Sequence, residues 1–282
     1  MTTPSAPFPA NAAPSPHLAG ARSFDDELLA RGRLAVEVTG TVLTITLDRP
    51  DIRNAQLPAT WEALAYIGSR VPAHIRVVVV RGSGESFSSG LDRSMFTPGP
   101  ESVLMQIASA PDTVAHHMIA DFQRGFTWLS DPSFVSIAAV RGHAVGAGFQ
   151  LALACDLVVA ADDAQFCMAE VGLGLVPDLG GTGSLVRAVG YQRALEICVT
   201  GRRVGAPEAV RIGLALVSAP AADLDVAVGD LVDAILAVPV EAGRSVTRLI
   251  GSATVLNAED QLVAEQSEQV KRLRELAAGG GR

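Results

Sequence analysis

Uninterrupted apolar runs alternate along the chain with segments of helical period. Three such runs are 77–80, 135–140 and 157–160. Runs of this length, bounded by polar or small residues, are typical of strands buried on both faces, and such strands need helices above and below them. The intervening segments 57–71 and 113–130 have helical period, and the segment 149–154 also predicts a helix. The alternation predicts an α/β layer fold with right-handed crossovers.

The two ends of the chain differ from this middle part. Residues 34–38 and 42–47 are β-rich runs separated by a Gly-containing turn, which predicts a hairpin-like start. Beyond Gly181 the pattern is mainly helical, and Asn257 is placed to cap the last helix. The predicted late helices are 183–189, 192–199, 206–213, 224–237, 240–251 and 258–276. We therefore expect a disordered lead-in over 1–25, an α/β core over 26–220 and a helical oligomerisation region over 221–282.

Composition narrows the possible functions. Hydrophobic residues make up 49% of the 282 residues, and the formal net charge of −8 argues against a nucleic-acid surface. The longest apolar run falls short of the roughly 18 residues that span a bilayer, so no membrane partner is expected. Three cysteines leave one odd thiol in any disulfide scheme, which favours a reducing, cytoplasmic location. The N-terminus has no basic region before an apolar one, so we expect no secretory signal.

The glycine clusters are candidates for ligand binding. The chain contains no GxxxxGK[ST], and the segment 146–151 does not complete a GxGxxG, so the usual nucleotide fingerprints are absent. The five histidines and three cysteines form no metal-binding spacing, and we predict no metal. What remains is glycine that brings backbone N–H groups close to a ligand at the start of a helix, where these groups lack partners.

Four sequence blocks resemble the signatures of the crotonase (enoyl-CoA hydratase/isomerase) superfamily. They are Leu47-Asp48-Arg49-Pro50 with Asn54-Ala55; the glycine-rich segment 82–92; the segment 138–148; and Ala164-Gln165-Phe166 through Glu170 to Asp178-Leu179-Gly180-Gly181-Thr182. They occur in the family's order and spacing over about residues 34–220. The resemblance implies a crotonase-like (ClpP/crotonase) spiral fold of ββα units with a helical C-terminal appendage. It also implies an acyl-CoA thioester substrate.

The resemblance further implies an oxyanion hole made by the backbone N–H groups of Leu91 and Ala147. Each follows a glycine, Gly90 or Gly146, in a loop after a predicted strand. Removing one donor of such a pair typically costs about a hundred- to thousandfold in rate. Similar proteins often have glycine at position 147. Alanine keeps the donor but adds a methyl group, so we expect a negative φ at Ala147.

The proton-transfer groups determine the reaction. The resemblance maps the two carboxylates of a typical hydratase to positions 150 and 170, where this chain has Gln150 and Glu170. Because an amide cannot accept a proton at neutral pH, one acid/base group of a hydratase is missing. Asp178 stands where hydratases commonly have glycine. The Glu170/Asp178 spacing resembles the dienoyl-CoA isomerase branch, although that branch also has Asp where this chain has Gln150.

The CoA part of the substrate is expected near the loop after the first strands. The resemblance points there to Arg53, Asn54, Leu91 and Asp92, with Gly90 and Gly146 lining the approach. Arg49, Arg53 and Arg93 could contact phosphates, although an arginine taken individually is more often a solvated surface charge. No cofactor is expected beyond the coenzyme A of the substrate. The resemblance also implies a homo-oligomer, a trimer or a pair of trimers.

Several readings of the sequence stay open. Isomerisation of an enoyl- or dienoyl-CoA needs only an enolate and proton carriers, which Glu170 and Asp178 supply. Hydration of 2-enoyl-CoA is the alternative if Asp178 or a water held by Gln150 replaces the missing carboxylate. A non-catalytic acyl-CoA-binding protein, thioester hydrolysis and decarboxylation are further alternatives, since fold alone does not determine function. Asp178 could also be a helix N-cap.

Overall fold

The computed structural model describes residues 24–97, 99 and 102–279. Its strands are β1 (Leu34–Thr39), β2 (Val42–Leu47), β3 (Val77–Gly82), β4 (Val135–Val140), β5 (His143–Val145), β6 (Leu157–Ala161), β7 (Gln165–Cys167), β8 (Arg203–Gly205) and β9 (Val217–Ala219). Its α-helices are α1 (Asp26–Gly32), α2 (Pro58–Gly68), α3 (Val103–Ser109), α4 (Asp112–Thr127), α5 (Ala147–Ala154), α6 (Gly181–Val189), α7 (Tyr191–Thr200), α8 (Ala206–Arg211), α9 (Leu224–Leu236), α10 (Val240–Ser252) and α11 (Ala258–Ala277).

Six strands form the main sheet in the order β1-β2-β3-β4-β6-β9. The predicted hairpin of β1 and β2 is antiparallel, and every later neighbour in this sheet is parallel. The four valines of β3 are all buried, as the apolar run predicts. Val78 and Val80 belong to the larger core, whereas Val77 and Val79 pack with α9 on the other face. The α/β prediction with buried central strands is therefore confirmed.

A second, smaller sheet has the order β5-β7-β8, and each of its strands has three residues. The sequence pattern does not predict these strands, because three residues are too few to show a period. β5 lies inside the segment that the sequence indicated as a glycine loop, and it pairs in parallel with β7. The second sheet therefore brings the loop after β5 next to the chain that follows β7.

The predicted helix boundaries agree with the structure to within a few residues for α2, α4 and the late helices. Asn257 caps α11 as expected, since its Oδ1 accepts a hydrogen bond from the Asp260 N–H at 2.9 Å. The segment 93–112, which has no clean period, contains a 3₁₀ turn at Arg93–Phe96 and the short helix α3. Helix α1 was not predicted, and its cap Asp25 belongs to the expected lead-in. The remainder of that lead-in, residues 1–23, lies outside the described residues.

The late helices divide into two groups. α9 covers one face of the main sheet through Leu224, Val228 and Leu231. The Arg76 guanidinium, at the start of β3, donates to three carbonyl groups at the C-terminal end of α9. By contrast, α11 has no buried residue and packs mainly on α10. α9 thus packs on the core sheet, and the boundary expected at residue 221 stays a prediction. In the part of the chain that the structure describes, no helix combines the length and the apolar character needed to cross a membrane.

Candidate active site

The loop 83–92 and the start of α5 lie against each other at the carboxyl ends of the central strands. Ser88 forms a β-bridge with Ala144 of β5, and the Val145 N–H donates to the Ser88 carbonyl oxygen at 3.0 Å. A Cβ on Gly90, whose φ is +87°, would lie 2.5 Å from the Val145 carbonyl oxygen and 3.6 Å from the Ala147 nitrogen. Only glycine allows this close approach, and it brings the backbone before Leu91 alongside the backbone of Ala147.

Both predicted oxyanion-hole donors have N–H groups available. Within the described residues, neither the Leu91 N–H nor the Ala147 N–H donates a hydrogen bond to the protein. Ala147 is the first residue of α5, where helix N–H groups have no intrahelical acceptor and the helix dipole favours negative charge. Positive φ among described non-glycine residues is confined to Arg33, Arg53 and Asn54, so Ala147 has the negative φ that its methyl group requires. Whether Leu91 and Ala147 hold a thioester oxygen stays a prediction.

A hydrogen-bond network that the sequence did not predict fixes the Leu91 loop. The Gln56 N–H donates to the Gly90 carbonyl at 2.7 Å, and the Asp92 N–H donates to the Gln56 carbonyl at 2.9 Å. The Gln56 side chain is fully buried and bonds to the Ser88 hydroxyl and the Trp61 indole N–H. Gln56 therefore holds the backbone on both sides of Leu91. The only sequence signal for it is a polar residue between apolar ones just before α2.

Glu170 begins a 3₁₀ turn, Glu170–Leu173, three residues after β7. Its side chain is buried, and a Cβ on Gly146 would lie 3.4 Å from Oε1 and 4.0 Å from Oε2 of Glu170. The Gly146 N–H also donates to the Cys167 carbonyl at 2.8 Å, which joins the two segments. The carboxyl group therefore lies next to the residue that precedes Ala147.

Gln150 connects Glu170 to the turn that carries Asp178. Its Nε2 donates to Glu170 Oε1 at 2.8 Å, and its Oε1 accepts from the N–H groups of Leu179 at 2.9 Å and Gly181 at 3.3 Å. These partners fix the orientation of the amide, since only the oxygen can accept two N–H bonds. Glu170 Oε2, in contrast, is buried without a hydrogen-bond partner among the described residues. Of the two Glu170 oxygens, the Gln150 amide therefore engages only Oε1.

Asp178 lies in the chain segment after Glu170, close enough for its charge to act on Glu170. Partial desolvation raises the pKa of Asp178, although the side chain keeps contact with solvent. The alternative that Asp178 caps a helix does not hold, because the N-cap of α6 is Gly180 and no side chain caps that helix. The structure therefore removes the simplest structural explanation for a carboxylate at this position.

Two of the residues predicted to contact CoA, Asn54 and Asp92, already have hydrogen-bond partners within the protein. The Asn54 side chain is buried, accepting from the Arg49 N–H and donating to the carbonyls of Ser83 and Ser86. Asp92 accepts from the Arg49 guanidinium at 2.8 Å and from the Ser94 N–H at 2.8 Å. The hydrogen bonds of Asn54 and Asp92 thus hold the loops in place.

Two arginines next to these loops remain free to meet a ligand. Arg53 and Arg93 are exposed, and neither forms an ion pair with a described residue. Arg49 differs from them, because its guanidinium already pairs with Asp92. Contact of any of these side chains with CoA stays a prediction.

The ionisation of Glu170 should be visible in the stability of the protein. Burial raises the pKa of Glu170, and the charge of Asp178 raises it further, while hydrogen bonds from its backbone and from Gln150 lower it. The native state therefore retains this proton to a higher pH than the unfolded chain, whose Glu pKa is about 4.3. Stability linked to Glu170 is complete below that value and is lost as the pH rises through the native pKa.

We accordingly expect Glu170→Gln to have a higher Tm than the wild type at neutral and alkaline pH. The Tm values of the variant and the wild type should differ least below about pH 4, where residue 170 of the wild type is protonated in the unfolded chain as well. Thermal unfolding followed by circular dichroism over a series of pH values measures the effect. A Tm difference that does not vary with pH would show that ionisation of Glu170 does not lower the free energy of unfolding.

Two adjoining backbone N–H donors thus lie beside a buried carboxyl group on an α/β fold, an arrangement typical of sites that stabilise an oxyanion. Residues 37–277 match the family model described as enoyl-CoA hydratase/isomerase. The chain belongs to the enoyl-CoA hydratase/isomerase family, and the crotonase resemblance inferred from the four sequence blocks is thereby confirmed.

Individual relatives agree with this assignment. The chain is 38% identical over 181 residues to the carnitinyl-CoA dehydratase of Escherichia coli K12, which covers 62% of this chain and 63% of the relative. The match thus spans a little under two thirds of the length of that curated relative. A crystal structure of a "putative enoyl-CoA hydratase" from Thermobifida fusca YX in complex with CoA superposes with a TM-score of 0.84, 45% identity, and coverage of 91% of this chain and 99% of that chain. Enoyl-CoA hydratase from Bacillus anthracis gives a TM-score of 0.73 at 27% identity, with coverage of 88% and 96%.

Proposed function

We propose that this enzyme moves a double bond within an enoyl- or dienoyl-CoA thioester. The observation that carries the proposal is the bonding of Gln150, whose amide is committed to Glu170 on one side and to the Asp178 turn on the other. A hydratase needs groups that activate water as well as a proton donor to carbon, and an amide does not change protonation state. Isomerisation requires no activated water. The carboxyl groups of Glu170 and Asp178, which lie on one chain segment, are sufficient for isomerisation.

The proposed reaction starts with transfer of a proton from an acidic carbon of the substrate to Glu170 Oε2. The electron pair left behind delocalises into the thioester, and the N–H groups of Leu91 and Ala147 stabilise the resulting enolate oxygen. The Asp178 carboxyl group then gives its proton to the remote carbon, and the new double bond forms. Glu170 ends protonated and Asp178 ionised, so proton exchange with solvent restores the starting state. Partial desolvation raises the pKa of Asp178, which is the direction that favours a proton donor.

The CoA thioester is proposed as the substrate class because the related Thermobifida protein was crystallised with CoA and, in another crystal, with acetoacetyl-CoA. The exposed Arg53 and Arg93 support phosphate binding at this rim of the site. Coenzyme A would thus enter as part of the substrate, with no separate cofactor.

Hydration or dehydration is the second candidate, and the names of the relatives favour it. Incubating the protein with 2-enoyl-, 3-enoyl- and 3,5-dienoyl-CoA esters separates the two reactions. Hydration adds the mass of one water, whereas isomerisation leaves the mass unchanged and alters the chromatographic retention and the ultraviolet absorbance of the conjugated system. We expect isomers as the main products. Rapid water addition to 2-enoyl-CoA with no isomer formed would overturn the proposal.

We also propose that the chain assembles as a trimer or a pair of trimers. Several large apolar side chains of the late helices are exposed in the single chain, and closed symmetry would cover them. They include Tyr191, Leu195, Val199, Val246, Ile250, Leu262, Val263, Leu273 and Leu276. Light scattering at micromolar concentration should give three or six times the mass of the chain. A monomer mass under these conditions contradicts the prediction.

A further inference from the structure

The segment between Glu170 and α6 is thinly packed. Val171, Leu173 and Val176 are 43%, 59% and 73% exposed, although they are apolar. A Cβ built on Gly174 or Gly180 would meet no atom within 4 Å. Apart from the buried Leu179, this segment makes few buried contacts, so the hydrogen bonds to its backbone contribute to the position of Asp178.

Two glutamines from different helices hold that backbone. Gln150 of α5 binds the N–H groups of Leu179 and Gly181, as described above. From the opposite side, Gln123 of α4 donates through Nε2 to the backbone carbonyl of Asp178 at 2.7 Å. No other side chain in the described part of the chain hydrogen-bonds to the backbone of residues 176–180. Gln150 also acts on Glu170, whereas the contact of Gln123 is with Asp178 alone.

We propose that Gln123 is a positioning residue for Asp178 and that it links α4 to the second proton transfer. The inference rests on the proposed function, since it requires Asp178 to carry a proton. The bond from Gln123 restrains the peptide plane that follows the Asp178 Cα, and with it the point from which the carboxyl side chain extends. Proton transfer needs the two heavy atoms within about 2.6–3.2 Å, so a small displacement of the turn lowers the rate.

Helix α4 is suited to hold such a group rigidly. Phe122, next to Gln123, packs against Trp61 with ring centroids 4.9 Å apart, and Phe126 packs against the same ring at 6.2 Å. Phe126 is buried in the main core, and Trp61 is held by the indole bond to Gln56. Because Gln56 also fixes the Leu91 loop, α4 shares one rigid framework with the predicted oxyanion hole.

The test compares Gln123→Ala with Arg124→Ala, a matched change at the next position of α4, where the exposed arginine pairs with Asp121. The Gln123 variant should lower kcat for dienoyl-CoA isomerisation on the order of tenfold with little change in KM, because only positioning is lost. Arg124→Ala should behave as the wild type. Gln123→Glu keeps the size of the side chain but loses the donor when ionised, so it should show a similar loss. It serves as the test if the alanine variant does not fold.

A double-mutant cycle distinguishes positioning from general support. In an Asp178→Asn background, Gln123→Ala should change the remaining rate less than about twofold, because the group that it positions is already gone. Equal losses in both backgrounds would overturn the inference, and so would wild-type kinetics in the Gln123 variants. If Asp178→Asn itself leaves isomerisation unchanged, the proposed function fails as well, and that outcome is recognisable before Gln123 is altered.

Discussion

Replacing Glu170 by Gln is expected to lower turnover by about a hundredfold or more while leaving the KM for CoA esters nearly unchanged. The substitution keeps the shape of the side chain and an oxygen that can accept the Gln150 N–H bond, now 2.8 Å long. It removes only the ability of Glu170 Oε2, which has no hydrogen-bond partner among the described residues, to take up a proton. Loss of kcat without loss of binding is the signature of a group that acts in the transition state.

Steady-state kinetics with the preferred ester from the substrate panel measure this effect. Glu62→Gln is a suitable control, because it removes the same charge at an exposed position of α2, where Glu62 pairs with Arg31. The control should retain wild-type kinetics. Turnover of the Glu170 variant within a few-fold of the wild type would remove Glu170 from the proposed mechanism.

Asp178→Asn is expected to lower the rate of dienoyl-CoA isomerisation more severely than Gln150→Ala does, with a residual rate left to measure. Asn cannot return a proton to the remote carbon, whereas loss of Gln150 removes only the bonds that orient Glu170 and the 178–181 turn. The substitution should leave the Tm close to wild type, because the Asp178 side chain is exposed and does not cap α6. Rates measured together with thermal unfolding therefore separate chemistry from folding. An active Asp178→Asn variant would contradict the isomerase proposal and favour the second candidate, a hydratase that uses a single carboxyl group.

The substitution Gln150→Glu tests the same proposal in the opposite direction, because it adds a carboxyl group to the site instead of removing one. It places a second carboxyl group against Glu170, at the distance now spanned by the 2.8 Å amide bond. If the missing carboxylate is what suppresses hydration, this variant should add water to 2-enoyl-CoA faster than the wild type does. Two adjoining carboxyl groups also raise the pKa of one of them, so the pH profile should broaden towards higher pH. Strong hydration by the unmodified protein would contradict the isomerase proposal.

Local sequence determined the elements that build the fold and the loops that carry the site. The valine run of β3 indicated a strand buried on both faces, because it is short, β-branched throughout and offers no polar face. Gly90 and Gly146 indicated two positions of close backbone approach, and both have positive φ in the structure. Asn257 identified the start of α11, since capping depends on residues three positions apart. Such features depend on short-range geometry, which periodicity and spacing reveal.

Only the tertiary structure decided how these parts meet. β5 and β7 have three residues each, so their pairing, which brings Gly146 beside Glu170, has no local signature. The bonds that Gln150 makes join α5 to a turn 29 to 31 residues further along the chain. The carboxamide of a glutamine can donate or accept with equal ease, so its role is set by the neighbours that folding supplies. The sequence thus indicated the family of the protein, while the fold placed Gln150 between the Glu170 carboxyl group and the backbone of the turn that follows Asp178.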